Sequence, residues 1–187
     1  MAKNTYTILN YLIQNKDKEF SIYDLAKSLK IDYKTMYVSI ERLKDSLNIR
    51  KQSNVNFISI KSNLTNDIYL MEKQRLENLL KNKNLHLIYS ELEKVNEQFI
   101  LLLFGSYAKN MQTKNSDMDL LLISNDADVL KRQLEILPLK IHLTVVSNAE
   151  FVSMLNSKKF TVVSEAVKNN VILFGVEEYY RFLKNVN

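Results

Sequence analysis

The chain has 187 residues and a formal net charge of +5, with 46% hydrophobic and 25% charged residues. It contains no cysteine, which excludes disulfide bonds and thiolate metal sites. No apolar run approaches the roughly 20 residues that a membrane-spanning helix needs, and no secretory apolar stretch is visible, so we expect a cytoplasmic protein that does not bind membranes. The length suffices for two small hydrophobic cores.

Three amphipathic helices are predicted in the first third of the chain. Apolar residues recur at helical spacing over residues 4–15. Ser21 is predicted to cap a second helix, with Asp24 three residues later as its capping-box partner. Asp32 is predicted to cap the third helix. That helix has one predicted buried stripe, formed by Met36, Ile40, Leu43 and Leu47.

Two short strands around a polar tip are predicted over residues 49–60. Together with the helices they give the order helix, helix, polar-faced helix and hairpin. This order resembles a winged helix-turn-helix over residues 3–61, and we assign residues 1–62 to such a domain. The resemblance implies that the domain binds double-stranded DNA, with the third helix in the major groove.

Charge favours DNA binding by this first domain. Residues 1–62 carry eleven basic residues (Lys or Arg) and six acidic ones (Asp or Glu). Residues 63–187 carry fifteen basic and fifteen acidic residues. Lys and Arg neutralise phosphates, and a few polar side chains reach base edges. The predicted DNA contacts are Lys34, Thr35, Tyr37 and Arg42 on the third helix and Arg50 and Lys51 on the hairpin. The alternative interpretation is a protein-docking module whose polar helix face is simply solvated.

Residues 63–84 are predicted to form a helical linker, since they contain no Pro or Gly. Apolar spacing predicts one helix around Ile68 and Met71 and a second around Leu85 and Ile88, with a polar break between them. The first helix is expected to pack on a core, with an interdomain strut or a dimer helix as the alternatives. A homodimer would suit a protein that reads a palindromic operator.

The strongest motif is Gly105-Ser106, followed by Asp117 and Asp119. The apolar run before it predicts a buried strand that enters a turn. Glycine lets the backbone approach a triphosphate, and the Ser106 hydroxyl and nearby N–H groups can bond phosphate oxygens. Residues two apart on a strand face the same way, so Asp117 and Asp119 present both carboxylates to one side while Met118 points into the core. Such oxygen ligands suit Mg²⁺ bound together with phosphates.

The runs LLLFGSYAKN and SDMDLLLIS carry this motif and closely resemble the signature of minimal nucleotidyltransferases in the DNA polymerase beta superfamily. The resemblance covers residues 85–187 and implies an α+β domain with a mixed sheet flanked by helices. It implies that Gly105 and Ser106 bind the nucleotide. It also implies that Asp117 and Asp119 hold Mg²⁺ (or Mn²⁺), and that a nucleotidyl group, commonly AMP from ATP, is transferred to a hydroxyl.

The sequence departs from that family at one position. Active members often place a third aspartate on the next strand, where this chain has His142. Strand alternation puts His142 on one face with Lys140 and Thr144, and we expect this to be the open, polar face. A neutral imidazole can act as a general base, but Mg²⁺ seldom selects it as a ligand. Three interpretations remain: His142 is a substituted base, the enzyme is slower and uses two carboxylates, or the site binds nucleotide without turnover.

Two functions are compatible with these patterns. The first is a DNA-binding regulator whose nucleotidyltransferase domain transfers AMP to a partner, as the resemblance implies for antitoxins that modify a helical HEPN-type toxin. The second is a winged-helix transcription regulator whose nucleotidyltransferase-like domain is inactive and binds nucleotide or a partner. A scaffold that binds neither DNA nor nucleotide is a third interpretation.

Overall fold

The computed structural model describes residues 3–113, 115–157 and 159–186. The chain divides into two units, Met1–Met71 and Glu72–Asn187. The boundary between the units lies within residues 63–84, the segment predicted as a linker. No helix among the described residues is long and apolar enough to span a bilayer.

The first unit contains three helices and a small sheet. Its elements are α1 (Lys3–Ile13), β1 (Phe20–Ser21), α2 (Ile22–Leu29), α3 (Tyr33–Arg42), a 3-10 turn (Lys44–Ser46), β2 (Leu47–Gln52) and β3 (Val55–Ile60). The strands form an antiparallel sheet in the order β1-β3-β2. The apolar helix faces form the core, in which Ile8, Leu9, Leu25 and Met36 are fully buried.

Side-chain caps set the starts of α2 and α3, as predicted. The Ser21 hydroxyl accepts a hydrogen bond from the Asp24 backbone N–H (3.0 Å) and donates one to the Asp24 carboxylate (2.7 Å). The Asp32 carboxylate accepts from the Thr35 N–H at 2.9 Å, and hydrogen bonding to Thr35 lowers the pKa of Asp32. Lys30 ends α2 in the left-handed conformation, with φ of 53°. The chain therefore turns between the two helices at predicted positions.

The predicted stripe of α3 is buried, but the predicted helix is too long. Met36, Ile40, Leu43 and Leu47 are each at most 2% exposed. However, α3 ends at Arg42, and Leu47 begins β2. The 3-10 turn reverses the chain in between, so Leu47 reaches the same core from a strand rather than from a helix. Burial spacing alone does not distinguish these two cases.

The hairpin of β2 and β3 closes with a two-residue turn. Gln52 pairs with Val55, and both turn residues have positive φ, 47° at Ser53 and 63° at Asn54. Positive φ at both positions is the requirement of a type I′ turn, whose twist matches that of the strands. The predicted polar tip is therefore a tight turn at the end of two six-residue strands.

The second unit is a sheet covered by helices. Helix α4 (Asn66–Leu79) crosses the boundary between the units. The remaining elements are α5 (Lys83–Leu92), β4 (Ile100–Phe104), α6 (Gly105–Ala108), β5 (Met118–Ile123), α7 (Asp128–Glu135), β6 (Ile141–Val146), α8 (Asn148–Asn156), α9 (Val162–Lys168), β7 (Val171–Phe174) and α10 (Val176–Val186). The sheet order is β6-β5-β4-β7. Strands β5 and β6 are parallel, and β4 is antiparallel to both of its neighbours. The predicted mixed sheet with flanking helices is confirmed.

Helices cover both faces of this sheet. On one face, alternate residues of β4 and β5 pack against α5 and α7 in a core of Leu85, Ile88, Leu92, Leu101, Leu103, Met118, Leu120, Leu122, Leu130, Leu134 and Leu173. On the other face, α9 and α10 contact β4, and α8 contacts both helices. All five residues of β4 are buried as a result. Such a strand reads as an uninterrupted apolar run in the sequence.

A buried polar network in the second unit joins α4 to α10 and to the chain before β7. The Arg75 guanidinium pairs with the Glu72 carboxylate (2.7 Å) and donates to the Asn170 carbonyl (2.6 Å). Tyr180 donates to the other Glu72 oxygen at 2.8 Å, and the Asn170 amide donates to the Tyr179 hydroxyl at 2.9 Å. Burial raises the pKa of both tyrosine hydroxyls. These bonds satisfy polar groups that would otherwise oppose burial.

Candidate active site

Gly105 brings the backbone into direct contact with the Asp119 carboxylate. Its φ is +67°, in the left-handed region that L side chains rarely adopt. A Cβ atom at this position would overlap Oδ2 of Asp119 and lie 3.0 Å from its Cγ. Phe104 pairs with Asp119 across β4 and β5, which places the turn at the same end of the sheet as the carboxylate. Only glycine therefore allows this close approach.

Ser106 follows in the single helical turn α6. The residue is half-buried, and its carbonyl accepts a hydrogen bond from the Met111 N–H at 2.9 Å. Within the described residues the Ser106 hydroxyl makes no hydrogen bond, so it is available to a ligand. The first N–H groups of this turn have no partner within a helix, as at any helix start. The predicted phosphate-binding pair thus lies in a turn with free donors beside an acid.

Asp119 lies at the start of β5, and Asp117 directly precedes this strand. Met118 between them is only 2% exposed and belongs to the core on the opposite face. Asp117 is exposed, and the Asp119 side chain is 29% exposed. A buried Met118 between two more exposed acids is the burial pattern that the predicted alternation requires.

The two carboxylates fit a metal ion that also binds substrate. Within the described residues no group of three or more His, Cys, Asp or Glu side chains could hold a metal. Mg²⁺ in phosphate-transfer sites commonly takes one or two carboxylates and completes its coordination with water and substrate phosphates. This donor set matches that mode of binding rather than a closed protein cage.

His142 lies beside Asp119 on an exposed face of β6, as the sequence predicts. The register of β5 and β6 pairs these two residues, and His142 Nδ1 lies 3.2 Å from Asp119 Oδ1. The imidazole is 67% exposed, whereas Ile141, Leu143 and Val145 pack against the core. In the neutral tautomer that donates Nδ1–H to Asp119, Nε2 keeps a lone pair that can accept a proton. The contact therefore orients the imidazole ring so that Nε2 can act as a general base.

The candidate site lies at the end of the sheet where β4 ends and β5 begins. A cavity of about 830 Å³ in the second unit opens at the other end, where β4 begins and β5 ends. Its lining includes the carboxylates of Glu93, Glu97, Asp126, Glu177 and Glu178 and no Lys or Arg. This lining would repel a triphosphate, because like charges disfavour one another. The cavity is therefore not the nucleotide site.

The predicted DNA contacts all belong to the first unit. Lys34, Tyr37 and Arg42 are exposed on α3, and Thr35 is half-buried because it lies nearer the core. Tyr33, which the sequence prediction omits, is 56% exposed and lies one turn before Tyr37. The spacing of Tyr33 and Tyr37, one helical turn apart, is the sequence feature from which Tyr33 could have been identified.

The two hairpin residues differ in what surrounds them. Lys51 is exposed. The Arg50 guanidinium forms an ion pair with Glu19 at 2.5 Å and lies 5.2 Å above the centre of the Phe57 ring. The hydrogen bond to Arg50 lowers the pKa of Glu19, and the same bond raises the pKa of Arg50. Glu19 is distant in sequence and was missed.

Residues 83–179 match the family model described as Polymerase beta, Nucleotidyltransferase, which identifies a nucleotidyltransferase domain. The match spans more than half of the chain, and the chain therefore belongs to this family. A protein of Methanocaldococcus jannaschii described as a proposed protein adenylyltransferase is 33% identical over 91 residues, which cover 46% of this chain and 67% of the relative. No solved structure shows significant similarity to the chain.

Proposed function

We propose that the second unit transfers a nucleotidyl group, AMP from ATP, to a hydroxyl on a partner protein. The observation that carries the proposal is the contact of the Gly105 turn with Asp119. This contact supports the proposal because the N–H groups of a turn can bind phosphate oxygens, and the Asp119 carboxylate beside this turn suits a divalent cation. Family membership supports the same reaction class.

In this proposal each residue has a defined role. The N–H groups of Gly105 and Ser106 bind phosphate oxygens, and Asp117 and Asp119 hold Mg²⁺ or Mn²⁺ together with the triphosphate. When bound, the cation neutralises phosphate charge and polarises the phosphorus centre. The acceptor oxygen forms a bond to the α-phosphorus as the bond to the β-phosphate breaks and pyrophosphate leaves. His142 accepts the proton of the acceptor hydroxyl at Nε2, while its Nδ1 is oriented by Asp119.

A protein acceptor is the class that the comparison favours, since the related chain of M. jannaschii is described as a proposed protein adenylyltransferase. We propose that the acceptor is a separate partner, such as a HEPN-type toxin, and that the chain acts as its antitoxin. This part of the proposal is by analogy with the family.

The alternative is a nucleotidyltransferase-like unit that binds nucleotide or a partner without reaction. The observation that favours it is His142, which replaces an acid beside Asp119. With two carboxylates, the site has fewer anionic groups to hold metal and to accept a proton. Binding without turnover is the outcome that separates this alternative from the transferase.

We further propose that the first unit is a winged helix-turn-helix that binds double-stranded DNA, in a homodimer on a palindromic operator. Three helices followed by a hairpin, with a small antiparallel sheet, support this assignment. The excess of Lys and Arg in residues 1–62 and the exposed face of α3 support DNA as the ligand. DNA binding by the first unit would make the protein a transcription regulator. The transferase unit of the same chain would act on the partner.

The transfer is tested by incubating the chain with ATP labelled at the α-phosphate, a divalent cation and the candidate partner. We expect label on the partner with the wild-type chain and none with Asp119→Asn. Asp126→Asn, which removes a carboxylate at the other end of β5, is the matched control and should transfer normally. Nucleotide binding without labelled partner, in both Mg²⁺ and Mn²⁺, would support the inactive alternative and exclude the transferase.

A further inference from the structure

Strand β6 lies at one edge of the sheet in the second unit, where the strand order is β6-β5-β4-β7. It pairs with β5 in parallel, and the first and last bonds of this pairing are accepted by the Lys140 and Val146 carbonyls. Successive residues of a strand point their N–H and C=O groups to opposite sides, so those of His142 and Thr144 also face β5. The residues whose backbone groups face away from β5 are Ile141, Leu143 and Val145.

The free edge of β6 consists of the N–H and C=O groups of these three residues. In the part of the chain that the structure describes, these groups have no hydrogen-bond partner. Proteins usually protect an edge strand from pairing with another chain by a short strand, a bulge, a proline or a charged residue. Strand β6 has six residues in an unbroken register, without Pro, Gly, Lys, Arg, Asp or Glu. Strand β7, at the opposite edge, has four residues and a register shift against β4. The free edge of β6 therefore lacks the protection that β7 has.

A second copy of the chain fits this edge because the free edge of β6 is symmetric about Leu143. In an antiparallel pair, residues whose backbone groups face the partner strand lie opposite each other. A two-fold axis at Leu143 satisfies this rule, since it pairs Leu143 with Leu143 and Ile141 with Val145 of the second copy. Each such pair exchanges two bonds, so the three pairs form about six backbone hydrogen bonds. The four strands of each copy would then form one continuous sheet.

The same register places Thr144 of the second copy opposite His142. Both residues turn their backbone groups toward β5 of their own copy, and pairs of this kind have the closest side chains, with Cα atoms about 4.5 Å apart. Within one strand, His142 and Thr144 share the face on which His142 contacts Asp119. Thr144 of the second copy therefore lies on the side of the imidazole away from Asp119. Like charges do not oppose each other in this register, since Lys140 would meet Val146.

We propose that two copies of the chain associate through the free edges of β6, in antiparallel register centred on Leu143. In this dimer, Thr144 of each copy lines the candidate active site of the other. The inference rests on the proposed homodimer and names its contact surface, but it requires neither transfer nor DNA binding. Because the pairing involves one short strand from each copy, we expect a dimer that forms and dissociates with concentration.

The register is tested by disulfide cross-linking, since the chain has no cysteine of its own. Full-length His142→Cys and Thr144→Cys chains are mixed in equal amounts, oxidised mildly and separated on a non-reducing gel. We expect a covalent dimer in the mixture, because Cα atoms about 4.5 Å apart lie within reach of a disulfide. Either variant alone should give little covalent dimer, since its two cysteines would have Cα atoms about 8 Å apart.

Ser153→Cys is the control for random collisions, because Ser153 is exposed on α8. Its mixture with Thr144→Cys should give no more covalent dimer than Thr144→Cys alone. The inference is overturned if the mixture of His142→Cys and Thr144→Cys does not exceed this background. Efficient cross-linking of Thr144→Cys alone would also overturn it, since that result places the two-fold axis at Thr144 rather than at Leu143.

The wild-type chain provides a second test that involves no substitution. Sedimentation equilibrium between about 1 µM and about 1 mM gives the oligomeric state, and hydrogen exchange followed by NMR gives the protection of single amides. We expect a monomer–dimer equilibrium in which the amides of Ile141, Leu143 and Val145 become protected at high concentration. A dimer without this protection would overturn the inference and leave the proposed homodimer intact. A monomer at every concentration would contradict both.

Discussion

Gly105→Ala is the substitution that tests the geometry of the site most severely. The new methyl group would overlap the Asp119 carboxylate oxygen. The alanine would also have to adopt φ of +67°, unless the backbone of the turn changes its conformation. A left-handed conformation costs an L residue about 1–2 kcal/mol. We therefore expect the free energy of unfolding to fall by about that amount, and Asp119 to move away from the turn.

The effect on nucleotide chemistry should exceed the effect on stability. A displacement of about 1 Å in a positioning group can reduce a reaction rate by ~100-fold. The expected result is a folded Gly105→Ala chain that transfers the nucleotidyl group about 100-fold more slowly and binds a non-hydrolysable ATP analogue poorly. Urea unfolding followed by circular dichroism gives the stability, and calorimetry at saturating Mn²⁺ gives the affinity.

Gly175→Ala is the matched control for this experiment. Gly175 also has positive φ, +78°, and a Cβ atom there would lie 2.6 Å from the Phe99 carbonyl oxygen. It lies at the far end of the sheet, beyond β7, so this variant should lose stability and keep nucleotide affinity. The reasoning is refuted if Gly105→Ala binds the analogue as tightly as the wild type, or if Gly175→Ala loses affinity to the same extent.

Three further predictions follow from other parts of the chain. Burial raises the pKa of Tyr179 and Tyr180, so their contribution to stability is complete below the unfolded pKa of about 10 and is lost as the pH rises above that value. An absorbance titration should show two tyrosines that ionise only when the chain unfolds. Ionisation of all ten tyrosines in the native state would contradict this prediction. Arg75→Ala removes the ion-pair partner of the buried Glu72 carboxylate and should lower the free energy of unfolding by about 3–5 kcal/mol in urea. A loss below about 1 kcal/mol would show that the pair is not buried in solution. Glu19→Gln removes the ion pair of Arg50 and should tighten binding to duplex DNA. The plot of log binding constant against log salt concentration should become steeper by about one phosphate contact. Fluorescence anisotropy titrations that show an unchanged affinity and slope would exclude Arg50 as a phosphate contact.

Local patterns in the sequence predicted the features that depend on near neighbours. Ser21 and Asp32 are caps because each side chain bonds an N–H three residues later. Gly105 and the two aspartates could be recognised because turn chemistry and strand alternation act over a few residues. The position of His142 on the open face followed from the same alternation.

Contacts between distant segments were not predictable in this way. The Arg75 guanidinium bonds the Asn170 carbonyl, and Arg50 pairs with Glu19, over separations that no local period reflects. Leu47 was assigned to a helix because its spacing from Leu43 fits both a helix and a turn into a strand. Only the folded chain shows which charged groups compensate one another.

The central claim is that the nucleotide and its cation bind at Asp117 and Asp119, against the Gly105 turn. A crystal structure with a non-hydrolysable ATP analogue and Mn²⁺ tests this most directly. We predict anomalous Mn²⁺ density between the two carboxylates, with the triphosphate within hydrogen-bond distance of the Gly105 and Ser106 N–H groups. Mn²⁺ or nucleotide bound elsewhere in the chain, with this end of the sheet empty, would contradict the account.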